Sequence, residues 1–175
     1  MLQTAVVTFG RFNPPTVAHR YLFAIMQKQM GDKYVFISHS QDKRKNPLSF
    51  DEKVGICQEL FPDIAFGNTE VKTIIDAATY INNLGYNNLI YVAGGDRVGE
   101  FEKILNAYNG SEYNFDHITV INAGERQGSG RLQNISASLL REQVKRGDYA
   151  GFADSYINKN SSIDVYRTLQ ERLLE

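Results

Sequence analysis

The chain has 175 residues, enough for one domain with a sizeable core, and its 42% hydrophobic and 22% charged residues are ordinary for a globular protein. A net charge of −1 disfavours a nucleic-acid-binding role, although a local basic cluster still suits a small anionic ligand. The single cysteine, Cys57, excludes an intrachain disulfide and favours a reducing cytoplasm. No apolar stretch reaches the roughly 18 residues of a membrane span, and the first residues lack the features of a signal peptide.

Apolar strand-like runs alternate with amphipathic helical stretches along the chain. This alternation predicts right-handed crossovers and an α/β fold, with helices on both faces of a doubly wound, mainly five-stranded parallel sheet. The predicted strands are 5–9, 34–38, 64–66, 89–93 and 118–121. The predicted helices begin near residues 17, 49, 74, 98, 136 and 161.

Capping residues mark the ends of two of these helices. Ser49 and Glu52 have the spacing of a capping box, with serine as N-cap and glutamate at N3 of a helix that runs to about Leu60. Gly85 is the expected C′ residue after the helix at 74–84, because glycine adopts the left-handed conformation without a Cβ penalty.

The segment from Gly10 to His19 joins the first predicted strand to the first helix. Pro14 and Pro15 keep this loop extended, and Thr16 takes the N-cap position. His19 then lies in the first helical turn, three residues from Thr16 and on the same side. A hydroxyl, an imidazole and the N–H groups of a helix start attract phosphate, although a capped turn with a surface histidine has the same spacing.

A second helix start of the same kind lies at residues 136–141. Ser136 is the expected N-cap, Ser138 follows in the first turn, and Arg141 lies three residues further on the same face. Two hydroxyls, a helix N-terminus and a guanidinium group suit the outer phosphates of a triphosphate. The pattern is also typical of a serine-capped helix with a solvated arginine, but two such starts in one parallel sheet favour anion binding.

Charged residues that follow two other predicted strands are further candidates. Lys43, Arg44 and Lys45 follow the second strand and either clamp a second phosphate or are merely solvated. Asp96 and Arg97 follow a buried strand and either contact a ribose hydroxyl and a phosphate or cap the next helix. Ligands bind beyond the carboxyl ends of parallel strands, so we expect the site at this edge. No Cys/His cluster predicts a metal site, and no P-loop motif occurs.

The two helix-start motifs together resemble signatures of the nucleotidylyltransferase superfamily. Residues 16–19 are similar to its (H/T)-x-G-H signature, and residues 135–141 are similar to I-S-x-(S/T)-x-x-R. Their order and separation match, and the resemblance covers the chain to about residue 150 with a Rossmann-like sheet as the implied fold. The Gly-Arg-Phe opening of the first motif resembles nicotinamide mononucleotide adenylyltransferases more than cytidylyltransferases.

Three further features refine this resemblance. Thr16 in place of the first motif histidine is similar to phosphopantetheine adenylyltransferases. The segments 45–50 and 93–97 look like those of nucleotidyltransferases carried by tailed phages. Ala18 departs from the family, because it stands where the family has a glycine that lets the nucleotide lie close to the backbone.

The resemblance also implies a role for each candidate residue. The catalytic residues would be Thr16 and His19, on the α-phosphate, and Arg141, on the outer phosphates. The nucleotide-binding residues would be Phe9, Gly10, Arg11, Phe12, Gly95, Asp96, Ser136 and Ser138. The acceptor-binding residues would be Lys43, Arg44 and Arg97.

The implied reaction transfers a nucleoside monophosphate, above all AMP from ATP, to a small phosphorylated acceptor such as nicotinamide mononucleotide, and releases pyrophosphate. Mg²⁺ would arrive with the triphosphate. The alternatives are a cytidylyltransferase acting on a sugar or polyol phosphate, and a non-catalytic nucleotide-binding or virion-associated module. Residues 1–150 would form the nucleotidyltransferase domain and 151–175 a helical tail packed on it. We expect a cytoplasmic location, in the host for a phage-encoded chain, and no nucleic-acid or membrane partner, with a homo-oligomer left open.

Overall fold

The alternation of strands and helices predicted from the sequence is confirmed in the structure, a computed structural model that describes residues 3–64, 66, 69–123 and 135–174. The strands are β1 (Thr4–Gly10), β2 (Asp32–Ile37), β3 (Asn88–Ala93) and β4 (His117–Asn122). The α-helices are α1 (Val17–Lys28), α2 (Phe50–Leu60), α3 (Ile74–Asn83), α4 (Val98–Ala107), α5 (Ala137–Lys145), α6 (Tyr149–Ser155) and α7 (Ser162–Leu174).

The strands form one parallel sheet in the order β2-β1-β3-β4. Val7 of β1 lies opposite Tyr34 of β2 on one side and Tyr91 of β3 on the other. The chain therefore builds outward from β1 in both directions, which makes the carboxyl ends of β1 and β3 the topological switch point of the sheet. This arrangement confirms the predicted Rossmann-like α/β fold.

The prediction of a fifth strand at 64–66 is wrong within the residues that the structure describes. Phe66 makes a single isolated parallel bridge to Val35, and Ala65 lies outside the described residues. The apolar run that follows Pro62 has three residues, which is shorter than the usual strand of about 5–6. One bridge does not make a ladder, so the described sheet has four strands.

The predicted capping residues are confirmed. Ser49 Oγ accepts a hydrogen bond from the Glu52 N–H at 3.2 Å, and Glu52 Oε1 accepts one from the Ser49 N–H at 3.0 Å. Gly85 follows α3 with a φ of +103°, in the left-handed region that favours glycine.

Contacts within the chain divide it into two units. The sheet unit comprises Met1–Gly10, Tyr21–Ser38 and Ile64–Gln127. The helical unit comprises Arg11–Arg20, His39–Asp63 and Gly128–Glu175. The division into residues 1–150 and a tail at 151–175 stays a prediction.

The core of the sheet unit forms between the strands and helices α3 and α4. Ala5 and Val7 of β1 belong to a buried cluster with Ile81 of α3 and Leu105 of α4. Val6, whose side chain points to the opposite face of the sheet, is also fully buried. Strand β1 is therefore covered on both faces, as is usual in parallel sheets.

The core of the helical unit forms where α5, α6 and α7 pack against one another. Leu140, Phe152 and Leu169, one from each helix, are completely buried there. Helix α7 confirms the amphipathic helix predicted from residue 161, whereas α6 was not predicted. Of the helices in the described ranges, none has the length and apolar character needed to cross a membrane.

Candidate functional site

The helical unit contains most of the site residues predicted from the sequence. These are Arg11, Phe12, Thr16, His19, Lys43, Arg44, Ser136, Ser138 and Arg141. The others belong to the sheet unit and are Phe9, Gly10, Gly95, Asp96 and Arg97.

The first turn of α1 holds the imidazole of His19 by a local hydrogen bond. Helix α1 begins at Val17, so Thr16 takes the N-cap position and His19 the N3 position. The Thr16 N–H donates to His19 Nδ1 at 2.8 Å, and Thr16 Oγ1 lies 3.3 Å from the same nitrogen. This is half of a capping box, with an imidazole where glutamate or glutamine usually accepts the N-cap N–H. The three-residue spacing thus fixes the imidazole at the helix start.

This contact also sets the chemical state of His19. Because Nδ1 accepts a hydrogen bond from Thr16, the neutral imidazole carries its proton on Nε2. Burial lowers the pKa of His19 to about 4, and a hydrogen bond to the unprotonated nitrogen favours the neutral form as well. The Phe12 ring packs against the imidazole, with the ring centroids 4.4 Å apart. His19 is therefore a neutral N–H donor at pH 7.

Asn13 organises the loop that precedes α1, although sequence reasoning alone did not identify it. Its side chain is buried, with Oδ1 accepting from the Leu48 N–H at 2.8 Å and Nδ2 lying 3.5 Å from the Leu48 carbonyl oxygen. Phe12, directly before it, has a φ of +51°, an uncommon conformation for a residue with a Cβ. Both residues are about 2% exposed, so the loop is packed in a defined conformation.

The start of α5 is joined directly to this loop. Ser136 is the predicted N-cap, since its Oγ accepts from the Leu139 N–H at 3.1 Å. Arg141 donates from Nη2 to Ser138 Oγ at 3.2 Å and from Nη1 to the Asn13 carbonyl oxygen at 2.9 Å. The two sequence motifs, far apart along the chain, therefore meet in the helical unit.

Arg141 lies among charged side chains of both signs. Burial lowers the pKa of its guanidinium, the carboxylates of Asp42 and Glu142 oppose this shift, and the charge of Arg11 acts in the same direction as burial. The guanidinium stays charged, because an arginine does not lose its proton in proteins. A bound anion would relieve the repulsion between the two arginines.

The loop after β2 presents the three predicted basic side chains on a fixed backbone. Asp42 Oδ1 accepts from the N–H groups of Arg44 at 2.9 Å and Lys45 at 2.7 Å, and its Oδ2 accepts from Asn46 Nδ2 at 2.7 Å. These hydrogen bonds hold the pKa of the Asp42 carboxyl well below its usual range. Lys43, Arg44 and Lys45 are exposed, so their charges face solvent and are accessible to an anionic ligand.

A second residue that the sequence reasoning missed is Lys53 of α2. Its side chain is completely buried, and burial lowers the pKa of its ammonium to about 8, with the charge of Arg11 acting in the same direction. Cys57, four residues further on the same helix face, is buried as well, and burial raises its pKa to about 12. The spacing of Lys53 from Cys57 was the available indication that this lysine points inward. The high pKa of Cys57 agrees with an inert thiol.

In the sheet unit, Phe9 and Gly10 end β1. The side chain of Phe9 packs against the apolar cluster of this unit, and its N–H and carbonyl each lie 3.3 Å from the Tyr91 hydroxyl. The Gly10 carbonyl accepts from the Ser38 N–H at 2.9 Å. These two residues therefore define the carboxyl end of the central strand through their backbone.

The remaining predicted residues form a short 3₁₀ turn, Gly95–Arg97, between β3 and α4. Arg97 forms an ion pair with Glu100 at 3.3 Å, and its guanidinium carbon lies 4.6 Å from the centre of the Phe101 ring. The side chain of Asp96 lies outside the described part of the structure. The ligand roles implied for Gly95, Asp96 and Arg97 stay predictions.

The sheet unit also contains a cavity of about 390 Å³ that holds none of the predicted residues. Thr4 and Asp32, which line it, are the first residues of β1 and β2. The cavity therefore lies at the amino ends of the strands, opposite the edge where parallel sheets bind ligands. In the described residues, no group of three or more His, Cys, Asp or Glu side chains is placed to hold a metal ion.

The fold and the site define a Rossmann-like α/β chain in which the helix starts of α1 and α5 meet. A scan of protein-family models finds no match for this chain, and a search of curated proteins finds none. Among solved structures, it is similar to the Plasmodium falciparum nicotinic acid mononucleotide adenylyltransferase complexed with APC, with a TM-score of 0.69 and 16% sequence identity. The match covers 99% of this chain and 100% of that one. The chain thus shares the overall fold of that adenylyltransferase.

Proposed function

We propose that this chain is a nucleotidyltransferase that transfers AMP from ATP to a small phosphorylated acceptor, such as nicotinamide mononucleotide, and releases pyrophosphate. The observation that carries the proposal is the 2.9 Å hydrogen bond from Arg141 to the Asn13 carbonyl, which joins two helix starts across 128 residues of sequence. A neutral histidine N–H, an arginine and two helix N-termini together suit a chain of phosphates. The shared fold with an adenylyltransferase supports the same class of reaction.

In the proposed reaction, an oxygen of the acceptor phosphate attacks the α-phosphorus of ATP in line. A new P–O bond forms, the bond between the α-phosphorus and the bridging oxygen to the β-phosphorus breaks, and pyrophosphate leaves with that oxygen. No covalent enzyme intermediate is needed. The protein therefore acts by positioning both substrates and by stabilising charge in the transition state.

His19 would act on the α-phosphate. Its neutral state and its hydrogen bond from the Thr16 backbone favour donation from Nε2 to an α-phosphate or bridging oxygen, where negative charge builds in the transition state. The hydroxyl of Thr16 lies next to His19 and would contact the same phosphate. The N–H groups at the start of α1 add partial positive charge there.

Arg141 would hold the β- and γ-phosphates together with Ser136, Ser138 and Arg11. Its contacts with Ser138 and Asn13 leave donors of the five-donor guanidinium for phosphate oxygens. Mg²⁺ would enter as part of the Mg–ATP substrate, because Mg²⁺ is usually bound by substrate phosphates rather than by an all-protein cage.

The acceptor phosphate would be held by Lys43 and Arg44. The hydrogen bonds of Asp42 fix the backbone of this loop, so both charges are presented at little conformational cost. A point charge and a planar guanidinium together suit a phosphate dianion.

A second candidate function is a nucleotide-binding module without turnover. Ala18 favours it. This residue occupies the N2 position of α1, where the family that the sequence resembles has glycine. The imidazole of His19 and the guanidinium of Arg141 at the two helix starts favour the enzyme.

The test is pyrophosphate release in the presence of Mg²⁺, with ATP or CTP, and with a panel of acceptors that includes nicotinamide mononucleotide and sugar or polyol phosphates. Release that requires ATP and one phosphorylated acceptor is the expected result. Release that requires CTP and a polyol phosphate would replace the adenylyltransferase with a cytidylyltransferase. ATP binding without release under any pair would favour the binding module.

A further inference from the structure

Three segments of the helical unit meet at Asn13. Its Oδ1 accepts from the Leu48 N–H at 2.8 Å, which joins the loop before α1 to the end of the basic loop, defined here as residues 39–48 with Lys43, Arg44 and Lys45. Its carbonyl oxygen accepts from Arg141 Nη1 at 2.9 Å, which ties the same loop to α5. With 2% of its surface exposed, Asn13 is buried between these partners.

The side chain and the carbonyl of Asn13 serve opposite sides of the proposed reaction. Leu48 is completely buried and follows the basic loop, whose cations would hold the acceptor. Arg141 would hold the outer phosphates of the nucleotide. The orientation of the Asn13 carbonyl depends on the backbone of residue 13, and the side-chain bond to Leu48 fixes that backbone. A movement of the loop at Leu48 would therefore also move the carbonyl that binds Arg141.

We propose that Asn13 is a positioning residue that couples the triphosphate side of the site to the acceptor side, an inference that rests on the proposed function. Its amide sets the path of the loop at Leu48, and its carbonyl holds the guanidinium of Arg141 in the orientation that accepts pyrophosphate. Removal of the side chain keeps the backbone carbonyl but takes away the hydrogen bond that fixes its orientation. We therefore expect weaker ligand binding.

The primary measurement is Mg²⁺–pyrophosphate binding by calorimetry, which needs no turnover. Asn13→Ala is expected to weaken this binding at least tenfold, and to raise the KM of the acceptor in the release assay. Asn109→Ala is the matched control, because Asn109 makes the same type of clamp in the sheet unit, accepting from the Phe115 N–H at 2.8 Å and donating to the Phe115 carbonyl at 3.1 Å. The control is expected to lose stability but to bind pyrophosphate within twofold of the wild type.

A double-mutant cycle separates positioning from a general loss of structure. Arg141→Lys keeps the positive charge but removes the planar fork that contacts Asn13 and Ser138. If Asn13 acts through Arg141, adding Asn13→Ala to Arg141→Lys changes pyrophosphate affinity less than twofold. If Asn13→Ala does not fold, Asn13→Ser, which shortens the side chain but keeps a hydrogen-bonding group, replaces it in the same measurements, with the same expected loss of at least tenfold.

Three results would overturn the inference. Folded Asn13→Ala that binds pyrophosphate like the wild type, or effects that simply add in the cycle, would show that Asn13 does not act through Arg141. If Asn13→Ala does not fold, normal pyrophosphate binding by Asn13→Ser would do the same. A wild-type protein that binds neither ATP nor pyrophosphate would instead overturn the proposed function, and the coupling with it.

Discussion

The sheet unit and the helical unit bury different kinds of side chain. In the sheet unit the most deeply buried residues are apolar, as with Ile81 and Leu105, which are completely buried. Most of the buried polar residues of the described chain belong to the helical unit, among them Asn13, Thr16 and Lys53. The helical unit therefore loses more hydration of polar groups on folding than the sheet unit does.

The physical difference lies in what burial requires. Burial of an apolar side chain is favourable because it removes apolar surface from water. Burial of an amide, hydroxyl or ammonium removes its hydration, and hydrogen bonds within the protein do little more than offset that loss. Polar burial of this kind is retained where a site needs oriented donors and charges. We therefore expect substitutions in the sheet unit to affect stability first, and substitutions in the helical unit to affect chemistry first.

The largest expected effect on stability is that of Ile81→Ala in the sheet unit. Removing three carbons from this completely buried side chain leaves a cavity, and we expect a loss of roughly 2–5 kcal/mol in the free energy of unfolding. The kcat of the folded fraction should stay within twofold of the wild type. Urea unfolding and pyrophosphate release at low temperature measure the two quantities. A tenfold fall in kcat of the folded protein would break the distinction between the units.

The corresponding substitution in the helical unit is His19→Ala. Loss of one oriented donor to a developing charge should lower kcat by about 100-fold or more. The free energy of unfolding should fall by about 1–2 kcal/mol, because the Thr16 N–H loses its acceptor. His117→Ala is the matched control, because His117 is an exposed histidine of β4 in the sheet unit. Steady-state kinetics and thermal unfolding of both variants test this. Full activity of folded His19→Ala would remove the histidine from the mechanism.

A smaller effect is expected from the buried ammonium of Lys53. Its pKa in the folded chain is about 8, below its ordinary value of 10.5, so between these pH values the unfolded chain binds more protons than the folded one. The stability of the wild type should therefore rise by about 1–2 kcal/mol between pH 8 and pH 10 relative to Lys53→Met. Below about pH 7 the difference between the two proteins should be constant, because Lys53 is then protonated in both states. Urea unfolding at several pH values measures it, and parallel curves across the range would contradict the burial of a charged lysine.

Local chemistry explains which parts of this structure the sequence predicts well. The caps at Ser49, Ser136 and Gly85 depend on residues at most four positions away, so their spacing is sufficient evidence. The hydrogen bond between Thr16 and His19 is equally local, and it gives the first motif its three-residue spacing. The strands of the sheet are marked by apolar runs that a parallel sheet buries on both faces.

The features that the sequence did not predict depend on distant partners. Asn13 becomes important only because Leu48 and Arg141, 35 and 128 residues away, are brought to it by the fold. The run at 64–66 has the composition of a strand, but Phe66 finds one bridge instead of a ladder. Amino-acid composition does not predict such pairings, because the same residue types can form many different long-range contacts.

The smallest effect is expected at Ala18, and it tests how closely a ligand approaches the helical unit. Ala18 occupies the N2 position of α1, next to His19, so its methyl group would limit how closely a nucleotide bound at this helix start approaches the backbone. Ala18→Gly should raise kcat/KM a few-fold if the nucleotide lies against this backbone, and should lower the free energy of unfolding by roughly 0.5–1 kcal/mol because glycine disfavours helix. The exposed Ala24→Gly, on the same helix but in the sheet unit, should show the stability loss without the gain in kcat/KM. An unchanged kcat/KM in Ala18→Gly would mean that the methyl group does not restrict the nucleotide. The difference between Ala18 and the glycine of the motif that the sequence resembles would then no longer favour a module without turnover.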